Sequence, residues 1–135
     1  MEQKAFDNVK ESISTKCIAY FDKDWETELE VDAGPEGLGS ILKQYNPDNK
    51  DMERAYVTFK SRLYTENERK MSQVEKEALG CVWGPEANWI YLIGKHFTLI
   101  TDNRAVQLIF SNTSTKPPAR IERLALRLNQ FDMKY

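Results

Sequence analysis

Short segments that alternate between apolar and polar residues dominate the first half of the chain. Residues 27–33, 37–44 and 54–61 each follow this two-residue period, which is typical of half-buried β-strands. The connections between them are short and contain turn-forming residues, "GPEG" and then "NPDNKD". Because connections this brief join neighbouring strands that run in opposite directions, the pattern predicts an antiparallel meander of three strands.

A helix is predicted to follow the meander. Ser72 and Glu75 have the three-residue spacing of a capping box, and apolar residues then recur at helical intervals. The pattern predicts a helix over 72–83. Gly84 and Pro85 come next, and we expect them to break or bend the helix, because proline lacks the backbone N–H that a helix interior requires.

The remainder of the chain alternates between strand and helix patterns. The predicted elements are a strand over 97–102, a helix over 119–130 and a short strand over 131–135, with further helical spacing at 2–13 and 105–110. Three strands followed by helix, strand, helix and strand indicate a mixed α/β fold.

Composition places the protein among ordinary globular domains. The 135 residues are 41% hydrophobic and 30% charged, which suits one domain with one core. No apolar run approaches the roughly 20 residues of a membrane span, and the first residues lack the apolar centre of a signal peptide. The two cysteines, Cys17 and Cys81, match neither a zinc ligand set nor a disulfide framework. We therefore expect an intracellular protein with two buried thiols and no membrane contact.

Charge is distributed unevenly along the chain although the net charge is only −2. Residues 1–36 contain ten acidic residues against four lysines, whereas residues 111–135 contain five basic residues against two acidic ones. A basic segment on an acidic protein can contact the backbone phosphates of a nucleic acid. It can equally form the solvated face of a helix, and the sequence alone leaves both interpretations open.

Two aspartates lie at the ends of predicted strands. Asp32 is the penultimate residue of the alternating segment "ELEVDA", and Asp102 ends "FTLITD". An acid in such a position is often a loop residue or a helix cap. If the two strands are parallel neighbours, however, both carboxylates lie side by side, and the helix over 72–83 can add a third. Clustered carboxylates repel one another unless a cation neutralises them, and their hard oxygen atoms suit Mg²⁺ or Mn²⁺.

Longer segments of the chain resemble a known family. The segments are "LEVDAGPEGLGSIL", "FKSRLYTENERKMSQVEKEALGCVW", "YLIGKHFTLITDN" and "KPPARIERLALRLNQFDMKY", in this order. They are similar to the RNase H domain of gypsy-type LTR-retrotransposon reverse transcriptases. "QKAFDNVKESIS", nearer the start, is similar to the connection segment that follows the polymerase. The resemblance thus implies a connection-like segment over 1–25 and an RNase H-like domain over 26–135.

The resemblance implies a fold and a chemistry. The fold is a five-stranded mixed sheet, three antiparallel strands followed by parallel ones, with flanking helices. The activity is cleavage of the RNA strand of RNA–DNA hybrids by acids that hold two Mg²⁺ ions, for which Mn²⁺ can substitute. At matching positions, the catalytic and metal-binding acids are Asp32, Glu77 and Asp102. Glu77 fits the second position better than Glu75, because the capping box gives Glu75 a structural role.

The family pattern also has a fourth acid on a helix beyond the last strand, whereas this sequence ends at Tyr135. We therefore expect a C-terminally truncated RNase H-like domain with feeble activity of its own. The alternative is a catalytically weak or inert RNase H-like module, from a degenerate or domesticated fragment, that serves as a binding or scaffold domain. Implied partners are an RNA–DNA hybrid and the polymerase of the same polyprotein. The candidate hybrid contacts are Lys60, Arg62, Asn103, Arg104 and Arg120, although a solvated edge strand carries charges such as the first two routinely.

Overall fold

The computed structural model of the protein describes residues 20–49, 51–101 and 119–134. In these ranges the chain forms five strands: β1 (Glu26–Ala33), β2 (Gly37–Tyr45), β3 (Ala55–Leu63), β4 (Phe97–Ile100) and β5 (Met133–Lys134). The predicted helices at 2–13 and 105–110, and Cys17, lie outside the described residues.

The strands form one mixed sheet in the order β3-β2-β1-β4-β5. β1 pairs antiparallel with β2, and β2 pairs antiparallel with β3, which confirms the predicted meander. β4 lies parallel to β1 on its other side, with Glu30 opposite Ile100, and β5 is parallel to β4. The strand that carries Asp32 is therefore the central one, as the predicted mixed α/β fold requires.

The helices of the described ranges are short, apart from one. They are α1 (Glu66–Arg69), α2 (Gln73–Ala87), α3 (Trp89–Leu92) and α4 (Ala119–Arg127), which a single 3₁₀ turn at Leu128–Gln130 extends. None of them is long and apolar enough to cross a lipid bilayer.

α2 runs further than its sequence predicts. The expected break at Gly84 and Pro85 is wrong, because the helix continues through both residues and ends at Ala87. Pro85 lies in the last turn, so its missing N–H removes one helical hydrogen bond without interrupting the earlier turns. Gly84 lets α2 pack closely on the sheet, since a Cβ at this position would lie 2.4 Å from Cγ1 of Val31 on β1. Close approach of the helix to the sheet therefore outweighs the helix-breaking tendency of the Gly–Pro pair.

α1 was not predicted, although its signal is present in the sequence. Thr65 and Glu68 form a second capping box, in which the Thr65 side chain accepts from the backbone N–H of Glu68 and the Glu68 side chain accepts from that of Thr65. Only four residues follow the cap, so no hydrophobic period accompanies it. The helix is therefore set by its cap rather than by an apolar face.

The core lies between the sheet and α2. Its buried residues include Leu29 and Val31 of β1, Leu38 and Leu42 of β2, Ala78 and Val82 of α2, and Phe97 and Leu99 of β4. Buried polar side chains join this core only where they are hydrogen-bonded. Asn88, which is 0% exposed, connects α2 to β2 and β3 in this way.

The two strands predicted in the last part of the chain are found as β4 and β5. The strand predicted over 131–135 is short, and its two assigned residues, Met133 and Lys134, pair with β4. The predicted strand over 97–102 is found as Phe97–Ile100. Asp102, at its predicted end, lies outside the described residues.

Candidate functional site

Asp32 lies near the carboxyl end of the central strand. It is the penultimate residue of β1 and is half-buried, while its neighbours Val31 and Ala33 are buried. Alternation along the strand places its side chain on the face opposite to Val31. The carboxyl end of a strand that lies beside a parallel neighbour is a common position for a ligand site, because two such ends open at the same edge of the sheet.

Glu77 approaches this end of β1 from α2. Its Oε1 accepts a hydrogen bond from Nε2 of Gln73 (3.2 Å), and the same Nε2 lies 3.4 Å from the carbonyl oxygen of Ala33. The Gln73 amide therefore bridges the Glu77 carboxylate to the backbone next to Asp32. This arrangement follows from helix geometry, since residues four apart lie on the same face.

Glu75 has the structural role that the capping box predicts. Its carboxylate accepts from the backbone N–H of Ser72 (3.2 Å), and the Ser72 hydroxyl accepts from the backbone N–H of Glu75 (3.2 Å). The two carboxylates thus differ in role. Glu75 caps the start of α2, whereas Glu77 lies towards the end of β1.

Tyr64 lies within the electrostatic field of both candidate acids. Burial raises the pKa of its hydroxyl to about 12, and the negative charges of Asp32, Glu68 and Glu77 contribute to the increase. The hydroxyl donates to the carbonyl oxygen of Gly34, two residues after Asp32, at 2.8 Å. The charges of Asp32 and Glu77 therefore both act on the pKa of one buried phenol, which is hydrogen-bonded to the end of β1.

Cys81 connects Glu77 to the end of β4. Its thiol is fully buried one turn after Glu77, and burial raises its pKa to about 12. A hydrogen bond with Thr101 opposes this increase and the charge of Glu77 adds to it. Thr101 follows β4 and precedes Asp102 in the sequence. The thiol one turn after the second predicted acid is thus hydrogen-bonded to the residue that follows β4.

Some of the other predicted site residues are not among those that the structure describes. Asp102, Asn103 and Arg104 lie outside the described residues, and Arg120 is placed in α4 through its backbone alone. Among the residues described, no group of three or more His, Cys, Asp or Glu side chains could hold a metal ion. The structure therefore brings Asp32 and Glu77 to one region and leaves the third acid a prediction.

Lys60 and Arg62 on the edge strand β3 both have partners within the protein. Lys60 donates to the carbonyl oxygen of Ala87, at the C-terminal end of α2 where cations are favoured. Arg62 forms two hydrogen bonds with the Glu68 carboxylate, at 2.7 and 2.9 Å. The pair raises the pKa of Arg62 and lowers that of Glu68. Their contact with nucleic acid remains a prediction.

Sequence reasoning missed Tyr64 and Gln73. Neither belongs to a hydrophobic period that would have singled it out, and their partners, the carbonyl oxygens of Gly34 and Ala33, are backbone atoms. The Thr65–Glu68 capping box was the available signal, because it places Tyr64 immediately before the start of a helix.

A family comparison covers most of the chain. The sequence model of the family described as the RNase H-like domain found in reverse transcriptase matches residues 22–131. The retrovirus-related Pol polyprotein from transposon 412 of Drosophila melanogaster is 30% identical over 131 residues, which is 96% of this chain. The corresponding polyprotein from transposon 297 is 28% identical over 106 residues, or 78% of this chain. The chain spans only 10% and 9% of the lengths of these two relatives.

Solved structures share the fold at low sequence identity. A foamy viral protease–reverse transcriptase in complex with RNA/DNA hybrid superposes with a TM-score of 0.63 at 12% identity, covering 97% of this chain and 18% of that one. RNase H1 from the archaeon Halobacterium salinarum gives a TM-score of 0.55 at 13% identity and covers 80% of both chains. The mixed sheet is therefore of the RNase H type.

Proposed function

Because this chain belongs to the family of RNase H-like domains found in reverse transcriptases, we propose that it is the RNase H domain of an LTR-retrotransposon Pol polyprotein. Its proposed reaction is cleavage of the RNA strand of an RNA–DNA hybrid. One observation carries the proposal: the Gln73 amide joins the Glu77 carboxylate of α2 (3.2 Å) to the carbonyl oxygen of Ala33 (3.4 Å), the residue that follows Asp32 on β1. The fold thus brings one acid to the strand end that carries the other, although like charges repel.

The third acid of the proposed site is Asp102. Glu30 of β1 is opposite Ile100 of β4 in the parallel register. Counting two residues forward along each strand leads to Asp32 and Asp102, so a continued register would put the two aspartates opposite each other. We therefore include Asp102 with Asp32 and Glu77 in the proposed cluster of acids.

The donor set fits a hard divalent cation. Carboxylate oxygens are the ligands that Mg²⁺ and Mn²⁺ prefer, and the Gln73 amide directs one carboxylate towards the backbone beside the other. Asp32, Glu77 and Asp102 would hold the ion. When bound, such an ion activates a water molecule and stabilises the charge that develops at the leaving oxygen. The protein contributes by fixing the carboxylates, since the Gln73 amide holds Glu77 to the backbone that follows Asp32.

The proposed partners follow from the relatives. A foamy viral relative was solved with an RNA/DNA hybrid, and the Drosophila relatives are Pol polyproteins about ten times as long as the matched segment. We propose that the chain works beside a polymerase domain of the same polyprotein, inside the cell, with residues 1–25 as the connection. The proposed hybrid contacts are Lys60, Arg62, Asn103, Arg104 and Arg120.

Cleavage of a labelled RNA–DNA hybrid by the 135-residue chain tests the proposal. The assay is run with Mg²⁺ and with Mn²⁺, beside the Asp102→Asn variant and a double-stranded DNA of the same sequence. We expect feeble cleavage of the RNA strand alone, stronger with Mn²⁺ because most such sites bind it more tightly, and none by the variant. Hybrid binding without cleavage under either metal would instead support the inert binding module.

Two neighbouring glutamates provide a matched comparison. Glu77→Gln removes a carboxylate from the proposed metal site, so we expect Mn²⁺ affinity and hybrid cleavage to fall by about tenfold or more. Glu75→Gln makes the same chemical change two residues earlier, and glutamine can still accept the capping hydrogen bond from Ser72. We expect this variant to retain both properties. Loss of metal binding in Glu75→Gln but not in Glu77→Gln would reassign the second ligand to Glu75.

A further inference from the structure

We propose that Tyr64 is a positioning residue: its hydroxyl holds the end of β1, and therefore the Asp32 carboxylate, in the place that a divalent cation requires. This inference rests on the proposed function and assigns a role to a residue outside the predicted acids. Tyr64 touches the backbone after Asp32 and is not itself a proposed ligand.

Tyr64 forms two hydrogen bonds with the turn between β1 and β2. Its backbone N–H donates to the carbonyl oxygen of Glu36 (3.0 Å), and its hydroxyl donates to that of Gly34 (2.8 Å). The turn closes on itself through a hydrogen bond from the Gly34 N–H to the Gly37 carbonyl oxygen (2.9 Å). The first residues beyond β1 are therefore fixed from both sides.

The anchor is itself rigid. Tyr64 is only 5% exposed and lies between the end of β3 and Thr65, the N-cap of α1. The capping box fixes the backbone immediately after it, and the two hydrogen bonds between Arg62 and Glu68 tie β3 to α1 across it. Because the buried Tyr64 side chain lies between two fixed segments, it has little freedom to move. Its hydroxyl can therefore hold its hydrogen-bond partner in one position.

The geometry matters because Asp32 lies at a strand end. Strand ends are the parts of a sheet that open most easily, and a metal site needs its carboxylates held closely in place. Tyr64 fixes Gly34, and Gln73 reaches Ala33 as well as Glu77. Ala33 and Gly34, the two residues that follow Asp32, are thus hydrogen-bonded to neighbouring elements. The Gln73 amide that binds Ala33 also binds the carboxylate of Glu77.

A comparison of two Tyr→Phe variants in the full chain tests this role. Tyr64→Phe keeps the buried ring and removes only the hydroxyl. Tyr91→Phe makes the same change on α3, where the ring packs on Phe21 at a centroid distance of 5.3 Å, ahead of the other end of β1. The measurements are the Kd for Mn²⁺, from the electron paramagnetic resonance signal of the free ion, and the urea unfolding curve of each variant. Asp32→Asn serves as the ligand-loss control.

We expect Tyr64→Phe to weaken Mn²⁺ binding by about tenfold, the scale seen when a residue that orients a ligand is removed, and Tyr91→Phe to leave it unchanged. Amide hydrogen exchange at Gly34 and Gly37 should become faster in Tyr64→Phe alone. Unchanged Mn²⁺ affinity in Tyr64→Phe, with binding lost in Asp32→Asn, would overturn this inference and leave the proposed function intact. Failure of the parent chain to bind Mn²⁺, or unchanged binding in Asp32→Asn, would overturn both.

Discussion

Replacing Asn88 with aspartate is expected to lower the free energy of unfolding by about 3–5 kcal/mol at pH 7, the scale of leaving a buried charge unpaired. The Asn88 side chain is fully buried, accepts from the Thr58 hydroxyl (2.6 Å) and donates to the carbonyl oxygen of Gly84 (2.9 Å) and to the Ser40 hydroxyl (3.2 Å). Asn88→Asp keeps the shape but turns the donating amide into an oxygen that faces the Gly84 carbonyl. Two acceptors then oppose each other in the core.

The loss should depend on pH with a defined sign. Burial and the facing carbonyl oxygen disfavour the charged form, so the pKa of the new carboxyl in the folded state is raised above its unfolded value of about 3.9. A carboxyl group whose pKa is raised by folding lowers the free energy of unfolding as pH rises from the unfolded pKa towards the folded pKa. The difference between Asn88→Asp and the parent should therefore be smaller at pH 4 than at pH 7, because the protonated carboxyl can again donate to Gly84.

Urea unfolding of both proteins at the two pH values measures this effect. Asn67→Asp is the matched control, since Asn67 is exposed on α1 and surface substitutions usually change stability by less than about 0.5 kcal/mol. A loss below about 1 kcal/mol for Asn88→Asp at pH 7, or an equal loss at both pH values, would contradict the buried hydrogen-bond network described for Asn88.

The second large effect is expected from a single methyl group on α2. A Cβ at Gly84 would lie 2.4 Å from Cγ1 of Val31 and 3.3 Å from Cδ2 of Leu29, whereas one at Gly80 would lie 3.4 Å from Cδ2 of Leu38. Valine is branched at Cβ and has little rotamer freedom with which to move aside. We expect Gly84→Ala to destabilise the protein by about 1–3 kcal/mol through overpacking. Gly80→Ala should be neutral or stabilise it by up to about 1 kcal/mol, because alanine favours the helix.

Both variants alter a buried glycine of one helix, so their difference isolates the contact with β1. Thermal and urea unfolding give the two free energies. The double variant Gly84→Ala, Val31→Ala should be less destabilised than the sum of the two single variants, because removing Cγ1 makes room for the new methyl group. Equal stability of Gly84→Ala and Gly80→Ala would mean that the helix lies further from the sheet than described.

Local patterns in the sequence were sufficient for most of the secondary structure. The alternating segments became β1, β2 and β3 with ends within two residues of their predicted positions, and the Ser72 capping box began α2 where expected. Both signals are short-range, because strand alternation and helix caps depend on residues within one or two turns. The assignment of a structural role to Glu75 followed from the same local rule.

The tertiary structure decided which residues meet. That α2 continues past Pro85 depends on the space between Gly84 and Val31. The partners that the side chains of Tyr64, Gln73 and Asn88 find outside their own helices are 30 or more residues away. The sequence by itself determined where the strands and caps lie and, by resemblance, which acids to examine. Only the fold showed which backbone atoms hold those acids in place, because periodicity identifies a buried face but carries no information about the neighbour that covers it.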